Sequence, residues 1–321
     1  MFEVLRCGPL TTVQDQGRHG LRHLGVGQSG CLDPVAAAQA NLLLGNARQD
    51  AVLEVLHFPL LLACHSDCDI ALSGDDTDAR LIDQHRQPIP EGRLLPGFVH
   101  RVRQGQLLLL PGRRQPRTYA VLGMAGGIDV PEILGSRSTD LNNRFGGLEG
   151  RPVQSGDRIH VSHHADAGRR LLDGIRSIGP TGRVRAIPGP EFERFTPQAR
   201  MDLWQTRWTV GRQCNRMGLR LSGMPLQGDV GGGMPSSAVL PGVIQVPPDG
   251  RPIILANDAQ TTGGYPRIAS IITADLWQLA YLGPGSRIRL EQVSVEEAQT
   301  ANREWQRYWS ILNLSASGEG A

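Results

Sequence analysis

The sequence predicts a mainly β protein: two tandem β-barrel-like domains, a few short helices and a C-terminal helix. Three observations carry this prediction. The 321 residues include 40 Gly and 22 Pro but only 6 Phe, 5 Trp and 4 Tyr, a composition of short strands joined by tight turns. From Val52 to Val161, apolar runs of strand length alternate with Gly, Pro, Asp and Asn clusters. The third is a repeat, with the same motifs in the same order in both halves.

Phe2-Glu3-Val4-Leu5-Arg6 alternates like a strand. Thr11 to Gly30 reads as a polar, glycine-rich stretch. Asp33-Pro34 opens a helix, Asp as N-cap and Pro in the first turn, which runs to about Leu44 and stops at Gly45-Asn46. Strands and turns follow, and His163 to Gly182 reads as a linker. The second half starts at Val184-Arg185-Ala186-Ile187, with short helices expected near Pro197 to Leu203 and Ala274 to Ala280. Ser294 and Glu297 form a capping box for a helix reaching about Leu312. The expected domains are 1–180 and 181–312, with a disordered tail over 313–321.

In the repeat, Leu95-Pro96-Gly97-Phe98-Val99-His100 aligns with Leu240-Pro241-Gly242-Val243-Ile244-Gln245 at an offset of 145 residues. Gly105 then meets Gly250, and Leu108-Leu109-Leu110 meets Ile253-Ile254-Leu255. Further on, Gly126-Gly127 falls near Gly263-Gly264, and Gly156-Asp157-Arg158-Ile159 near Gly285-Ser286-Arg287-Ile288. Either two domains share one design, or turn chemistry common to β proteins recurs by chance.

Charge and composition exclude several chemistries. Net charge is +2 and all 33 basic residues counted as Lys or Arg are Arg. A chain without lysine has no Schiff-base lysine, no P-loop lysine and no biotinyl-lysine, so anions fall to Arg, His or backbone amides. Nothing in the charge balance points to nucleic acid, and no segment approaches the ~18 apolar residues of a membrane span. The odd count of five Cys and the lack of a signal-peptide pattern suggest a cytoplasmic protein with reduced thiols. Gly25-Val26-Gly27-Gln28-Ser29-Gly30 spells G-x-G-x-x-G without the preceding strand that a dinucleotide loop needs. Cys64-His65-Ser66-Asp67-Cys68 lacks a second ligand cluster apart from His163-His164, so no metal site is expected.

The densest chemistry lies in Leu255 to Arg267, where an apolar strand runs into Asn257, Asp258, Gln260, Thr261 and Thr262, then Gly263-Gly264-Tyr265-Pro266-Arg267. Such a loop either carries a site on a rigid frame or is a turn whose side chains bond its own backbone. Gln14-Asp15-Gln16-Gly17-Arg18, Asn215-Arg216-Met217-Gly218 and Ser236-Ser237 with Gln245 form lesser clusters. Arg216 could clamp a carboxylate or phosphate with two hydrogen bonds.

Together these motifs resemble the carboxyltransferase-like proteins first named allophanate hydrolase subunit 2, a group that includes KipA-type proteins and the PxpC-type components of 5-oxoprolinases. The resemblance covers roughly Leu5 to Glu297. It rests on Thr11-Thr12-Val13-Gln14-Asp15 with Gly17-Arg18, Ser29-Gly30 with Asp33, Ala40-Asn41, Leu53-Glu54, Ala125-Gly126-Gly127-Ile128, Gly135-Ser136 and Gly146 to Arg151. In the second half it rests on Asn215 to Gly218, Gly242 to Pro247 and Asn257 to Arg267. One departure is Ser236-Ser237-Ala238, where the family more often has Asp, His or Gly beside the serine.

The resemblance implies two cyclophilin-like β-barrels and an ATP-dependent opening of 5-oxo-L-proline to L-glutamate, with the ATP site possibly on a partner. It implies a KipI-like (PxpB-type) partner and a PxpA-type subunit. The alternatives are a KipA-like regulator that antagonises a KipI-like kinase inhibitor, and the carboxyltransferase component of a urea-carboxylase-like biotin enzyme. The implied catalytic residues are Asp258, as base or orienter, with Arg216 and Asp15. Gln14, Arg18, Ser236, Gln245, Gln260, Thr261, Thr262, Tyr265 and Arg267 are the implied substrate contacts, with Arg18 and Arg216 holding anions.

Overall fold

A computed structural model describes residues 1–113, 118–162, 173–229 and 234–317, the side chains as far as residue 312. The chain falls into two compact units. One comprises Met1–Arg18, Ser29–Gly179 and the chain from Ile311; the other comprises His19–Gln28 and Pro180–Ser310.

The first unit has eleven strands: β1 (Phe2–Arg6), β2 (Thr11–Gln14), β3 (Val52–Val55), β4 (Leu60–Cys64), β5 (Cys68–Gly74), β6 (Arg80–Ile82), β7 (Pro88–Arg93), β8 (Val99–Val102), β9 (Leu107–Leu110), β10 (Ala120–Met124) and β11 (Arg158–Ile159). They form a six-stranded sheet, β11-β1-β4-β9-β6-β7, and a five-stranded sheet, β2-β3-β10-β5-β8. Alternate residues of both sheets, among them Phe2, Val4, Leu60, Leu62 and Leu108 from one and Val13, Leu53, Ile70 and Leu122 from the other, share one core. Helix α1 (Pro34–Leu43) is capped by Asp33, whose carboxylate accepts from the Val35 and Ala36 amides. Its small side chains Ala36, Ala37, Ala38 and Ala40 are buried, which lets the helix lie close on its sheet: a Cβ placed at Gly123 of β10 would stand 3.2 Å from Ala40 Cβ.

The second unit has nine strands: β12 (Arg183–Pro188), β13 (Arg207–Asn215), β14 (Gly218–Ser222), β15 (Ser237–Ala238), β16 (Val243–Gln245), β17 (Ile253–Leu255), β18 (Thr262–Gly263), β19 (Arg267–Ile271) and β20 (Arg287–Gln292). Seven of them close into a barrel in the order β12-β19-β16-β17-β14-β13-β20. The seam is the parallel pair β12–β20, with Arg183 opposite Arg289. Val184, Leu219, Leu221, Ile244, Ile254, Ile268 and Ile288 are buried barrel residues. Trp208 is fully buried and its indole N–H donates to the Leu203 carbonyl of α2 (Pro197–Gln205), which satisfies the one polar atom of a large apolar group. The remaining pair, β15 and β18, makes a small ribbon.

The repeat reappears as matching elements. Gly97 and Gly242 both take left-handed φ, 85° and 91°, immediately ahead of β8 and β16. Gly156 and Gly285, at 93° and 85°, likewise precede β11 and β20. The pairing then diverges. β16 pairs with β17, whereas β8 pairs with β5 and β9 with β4 and β6, in different sheets. The second unit therefore closes, while the first remains two sheets over a shared core.

Three expectations need correction. Thr11–Gln14, the start of the stretch read as polar and glycine-rich, is a strand with all four residues buried. The helix after the capping box, α3, runs from Val295 to Ser317, so the tail expected over 313–321 is helical to Ser317, and 318–321 lie outside the described residues. The capping box itself forms: the Ser294 amide donates to Glu297 (2.7 Å) and the Glu297 amide to Ser294 Oγ (3.1 Å). Much of the expected linker, including His163-His164, also lies outside the described residues, as does most of the glycine run from Gly228 to Gly233. Among the described residues, no helix is long and apolar enough to cross a membrane, and no group of three or more His, Cys, Asp or Glu could hold a metal ion. Cys64 and Cys68 are buried free thiols, and His65 pairs with Glu3 at 3.0 Å.

Candidate functional site

The polar clusters singled out in the sequence lie in different units. In the first unit, Gln14 is fully buried on β2. Its Nε2 donates to Thr12 Oγ1 (3.0 Å) and the Thr139 carbonyl (3.2 Å), and its Oε1 accepts from the Gly30 amide (3.0 Å). Asp15 accepts from the Gly17 amide (2.8 Å), Ser136 Oγ (2.6 Å), Ser138 Oγ and the Arg137 amide. Arg18 is 1% exposed; it donates to the carbonyls of Ile133 (3.1 Å) and Ser138 (2.6 Å), and its guanidinium lies 4.5 Å from the Phe145 ring centroid. Backbone donors and hydroxyls around a buried carboxylate, and carbonyls around a buried guanidinium, offset the cost of taking each charge out of water. These contacts tie residues 11–18 to 133–139. The ligand-facing roles expected of Gln14, Asp15 and Arg18 are thus replaced by a structural one: they fasten two loops together.

The second unit treats its own pair in the same way. The guanidinium of Arg216 grips both carboxylate oxygens of Asp258, Nε to Oδ2 at 2.8 Å and Nη2 to Oδ1 at 3.0 Å, with the side chains 2% and 4% exposed. The Asp258 amide also donates to the Arg216 carbonyl (2.9 Å). A buried carboxylate with both oxygens engaged by a guanidinium has neither oxygen turned to solvent. Of the two roles expected of Asp258, base or orienter, this geometry fits the orienter, and Arg216, expected to hold an anion, grips Asp258. Together they fix the start of the loop that follows β17.

The end of that loop is fixed by Arg267. Its Nε and Nη2 meet Glu191 at 2.8 and 2.7 Å, and its amide donates to the same carboxylate (2.9 Å). The hydrogen bonds from Arg267 hold the Glu191 carboxyl below the ordinary glutamate range, and those to Glu191 push the Arg267 guanidinium up. Between the two pins, Gln245 is 2% exposed and donates through Nε2 to the Tyr265 carbonyl (3.3 Å). Gln245 thus supports the loop from beneath. A Cβ at Gly263 would come within 2.6 Å of Gln245 Nε2, so glycine there lets the amide stay against the backbone.

What the loop presents to solvent is different in kind. Gln260, Thr262, Tyr265 and Ser236 are exposed, and Thr261 is half-buried. The β15–β18 ribbon sets Ser237 opposite Gly263 and Ala238 opposite Thr262, which brings the Ser236 segment beside the Thr262 segment. The result is a small face of amide, hydroxyl and phenol groups on a doubly pinned frame.

Several residues of this arrangement were not read from the sequence. Glu191, Ser138 and Arg22 belong to no motif; Arg22 is one of many arginines, and its partners are 217 and 238 residues away. Glu54, noted in the sequence as part of the Leu53-Glu54 motif but given no role, sits fully buried in the otherwise apolar Val52–Val55 strand, accepting from the Leu32 amide (2.6 Å) and the Tyr119 hydroxyl (2.9 Å). A lone acid within an apolar strand is the signal that marks it.

A closed barrel in one unit, two sheets over a shared core in the other, and a pinned polar loop between β17 and β19 define a carboxyltransferase-type domain. Residues 24–292 match the family described as carboxyltransferase domain, subdomain A and B, and the chain belongs to it. More narrowly, the chain is 42% identical over 312 residues to the C component of the 5-oxoprolinase of Escherichia coli (strain K12), covering 97% of each. It is 36% identical to the corresponding 5-oxoprolinase component of Haemophilus influenzae, covering 96% of each. Among solved structures, the Kluyveromyces lactis urea carboxylase matches with a TM-score of 0.84 at 26% identity, covering 97% of this chain and 29% of that one. TTHA0988 matches with a TM-score of 0.75 at 31% identity, covering 90% of this chain, which spans 55% of that one.

Proposed function

We propose that this chain is a subunit of an ATP-dependent 5-oxoprolinase that opens 5-oxo-L-proline to L-glutamate and works only with its partners, one KipI-like (PxpB-type) and one PxpA-type. The supporting observation is the end-to-end 42% identity with the E. coli 5-oxoprolinase component. Chemistry makes the reading coherent. Amide resonance makes a lactam a weak electrophile, so a phosphoryl group from ATP on its oxygen is what lets water attack. The protein's share is to grip a small planar amide and orient it. The exposed Gln260, Thr262, Tyr265 and Ser236, with Thr261, supply donors and acceptors of the right size, and the Arg216–Asp258 and Arg267–Glu191 pairs hold them in place. ATP is consumed by the assembly as a whole.

The likeness to urea carboxylase favours one second reading, carboxyl transfer from biotin to an amide. Without lysine the chain cannot carry biotin itself. The test is co-expression of this chain with both partners, followed by ATP hydrolysis and glutamate release on adding 5-oxoproline. The expected result is hydrolysis that needs all three proteins. Turnover that instead needs bicarbonate, a biotin carrier and urea would select the second reading.

A further inference from the structure

We propose that Arg22 is the anion-binding residue of the polar face in the second unit, and that the anion it takes is the carboxylate of the small amide substrate. The assignment rests on the 5-oxoprolinase reading and names which residue recognises the acid group of that substrate.

The two arginines expected to hold an anion have other tasks: Arg18 holds backbone carbonyls, and Arg216 holds Asp258. Arg22 differs. It opens a short 3-10 turn, Arg22–Leu24, that groups with the second unit. Its Nη2 donates to the carbonyls of Val239 (2.8 Å) and Gln260 (2.7 Å). Its Nε and Nη1 are shielded from solvent and have no hydrogen-bond partner among the described residues. A guanidinium carries five N–H groups, so Nη2 uses two and three remain. Leaving charged donors dry and unpaired is costly, and such groups in a native protein call for an explanation. Burial also pulls the Arg22 guanidinium below its ordinary value, the sign of a cation short of compensating charge.

Its location points the same way. One carbonyl that Arg22 holds belongs to Gln260 of the polar face, and the other to Val239, next to ribbon strand β15. An oxyanion on Nε or Nη1 therefore lies beside the groups proposed to grip the amide. In 5-oxoproline the carboxylate sits on the carbon bonded to the lactam nitrogen, so anion and amide are presented at that short spacing. Gly20 and Gly25 bound the turn, both with left-handed φ and open space about them.

The experiment compares 5-oxo-L-proline with 2-pyrrolidinone, the same lactam without its carboxylate, in the assembly of all three proteins. Wild type should prefer 5-oxoproline strongly. Arg22→Gln should lower kcat/KM for 5-oxoproline about 100-fold, mostly through KM, and lower that for 2-pyrrolidinone far less, by the part that the lost Val239 and Gln260 hydrogen bonds contribute to both. Arg22→Lys, which keeps the cation, should restore part of the preference. Equal losses on both lactams would overturn the assignment, because Arg22 would then only hold the loop. If the wild-type assembly ignores 5-oxoproline altogether, the functional reading fails and the site is judged by nitrogen–proton NMR of the full chain. A shift of the Arg22 Nε–H signal with acetate, absent in Arg22→Lys, supports a carboxylate site. No shift, or a shift with inorganic phosphate alone, rejects it.

Discussion

The two units handle buried charge differently. In the first, Asp15 is neutralised by hydroxyls and backbone amides, a many-handed cradle in which no single partner dominates. In the second, Asp258 depends on the guanidinium of Arg216 at both oxygens. A distributed cradle degrades by parts. A buried ion pair concentrates the compensation, because removing either member takes away both of its hydrogen bonds to the other at once. The first unit is thus built to tolerate single losses at its polar loop, and the second is not.

The contrast should be largest at Asp258. Asp258→Ala should destabilise the second unit by about 3–5 kcal/mol, read as a separate early transition in denaturant melts. Replacing Arg216 and Asp258 together by Met and Leu should recover most of that loss. Ser136→Ala, which removes one of the Asp15 donors, should cost only about 1 kcal/mol. Equal losses at the two sites would erase the distinction.

The repeat offers the next test. Gly97 and Gly242 share left-handed φ, but a Cβ at Gly97 would come within 2.1 Å of the Ile175 carbonyl oxygen. At Gly242 it would meet the Leu276 Cδ2, a side-chain end, at 2.7 Å, and backbone oxygen only at 3.2 Å. Gly97→Ala should therefore cost about 3 kcal/mol or more and Gly242→Ala about 1–2 kcal/mol, as measured by chemical denaturation.

A smaller effect separates the pinned ends of the loop. Arg267 depresses the Glu191 pKa, so the native state binds that proton less readily than the unfolded chain. The pair stabilises fully above the ordinary glutamate range, and its contribution fades as pH falls through and below it. Glu191→Gln should flatten the acid limb of the stability–pH curve by about 1 kcal/mol. Smaller still, Gly263→Ala should push Gln245 aside and cost about 1 kcal/mol, seen as a drop of a few degrees in Tm.

Much of the fold was legible because it is written locally. Asp33 with Pro34, and Ser294 with Glu297, are caps whose chemistry needs no distant partner, and both form. The paired glycines announced the matching turns ahead of β8 and β16. Which of the two units closes was not legible. Whether β9 pairs with β4 and β6, or β17 with β16, depends on contacts far apart in sequence that turn residues do not encode. The same limit governs the site. Residue type drew attention to Gln14, Arg18, Arg216 and Asp258, yet their partners turned them into fasteners, while Arg22 carried no motif at all. Thr262 and Tyr265 were legible as loop residues because a Gly-Gly-Tyr-Pro run marks a turn; their exposure is a property of the barrel.

On the proposed reading, substrate binding falls to the polar face, which the buried ion pairs hold in place. The most direct measurement is kcat/KM for 5-oxoproline alongside Tm in the assembly of all three proteins, for Tyr265→Ala with Thr262→Ala against the Arg216–Asp258 replacement by Met and Leu. The expected result is about a tenfold or greater loss of turnover at unchanged Tm for the first, and a shifted Tm with turnover per folded molecule retained for the second. Full activity in the face variant, with activity abolished in a folded pair variant, would contradict it.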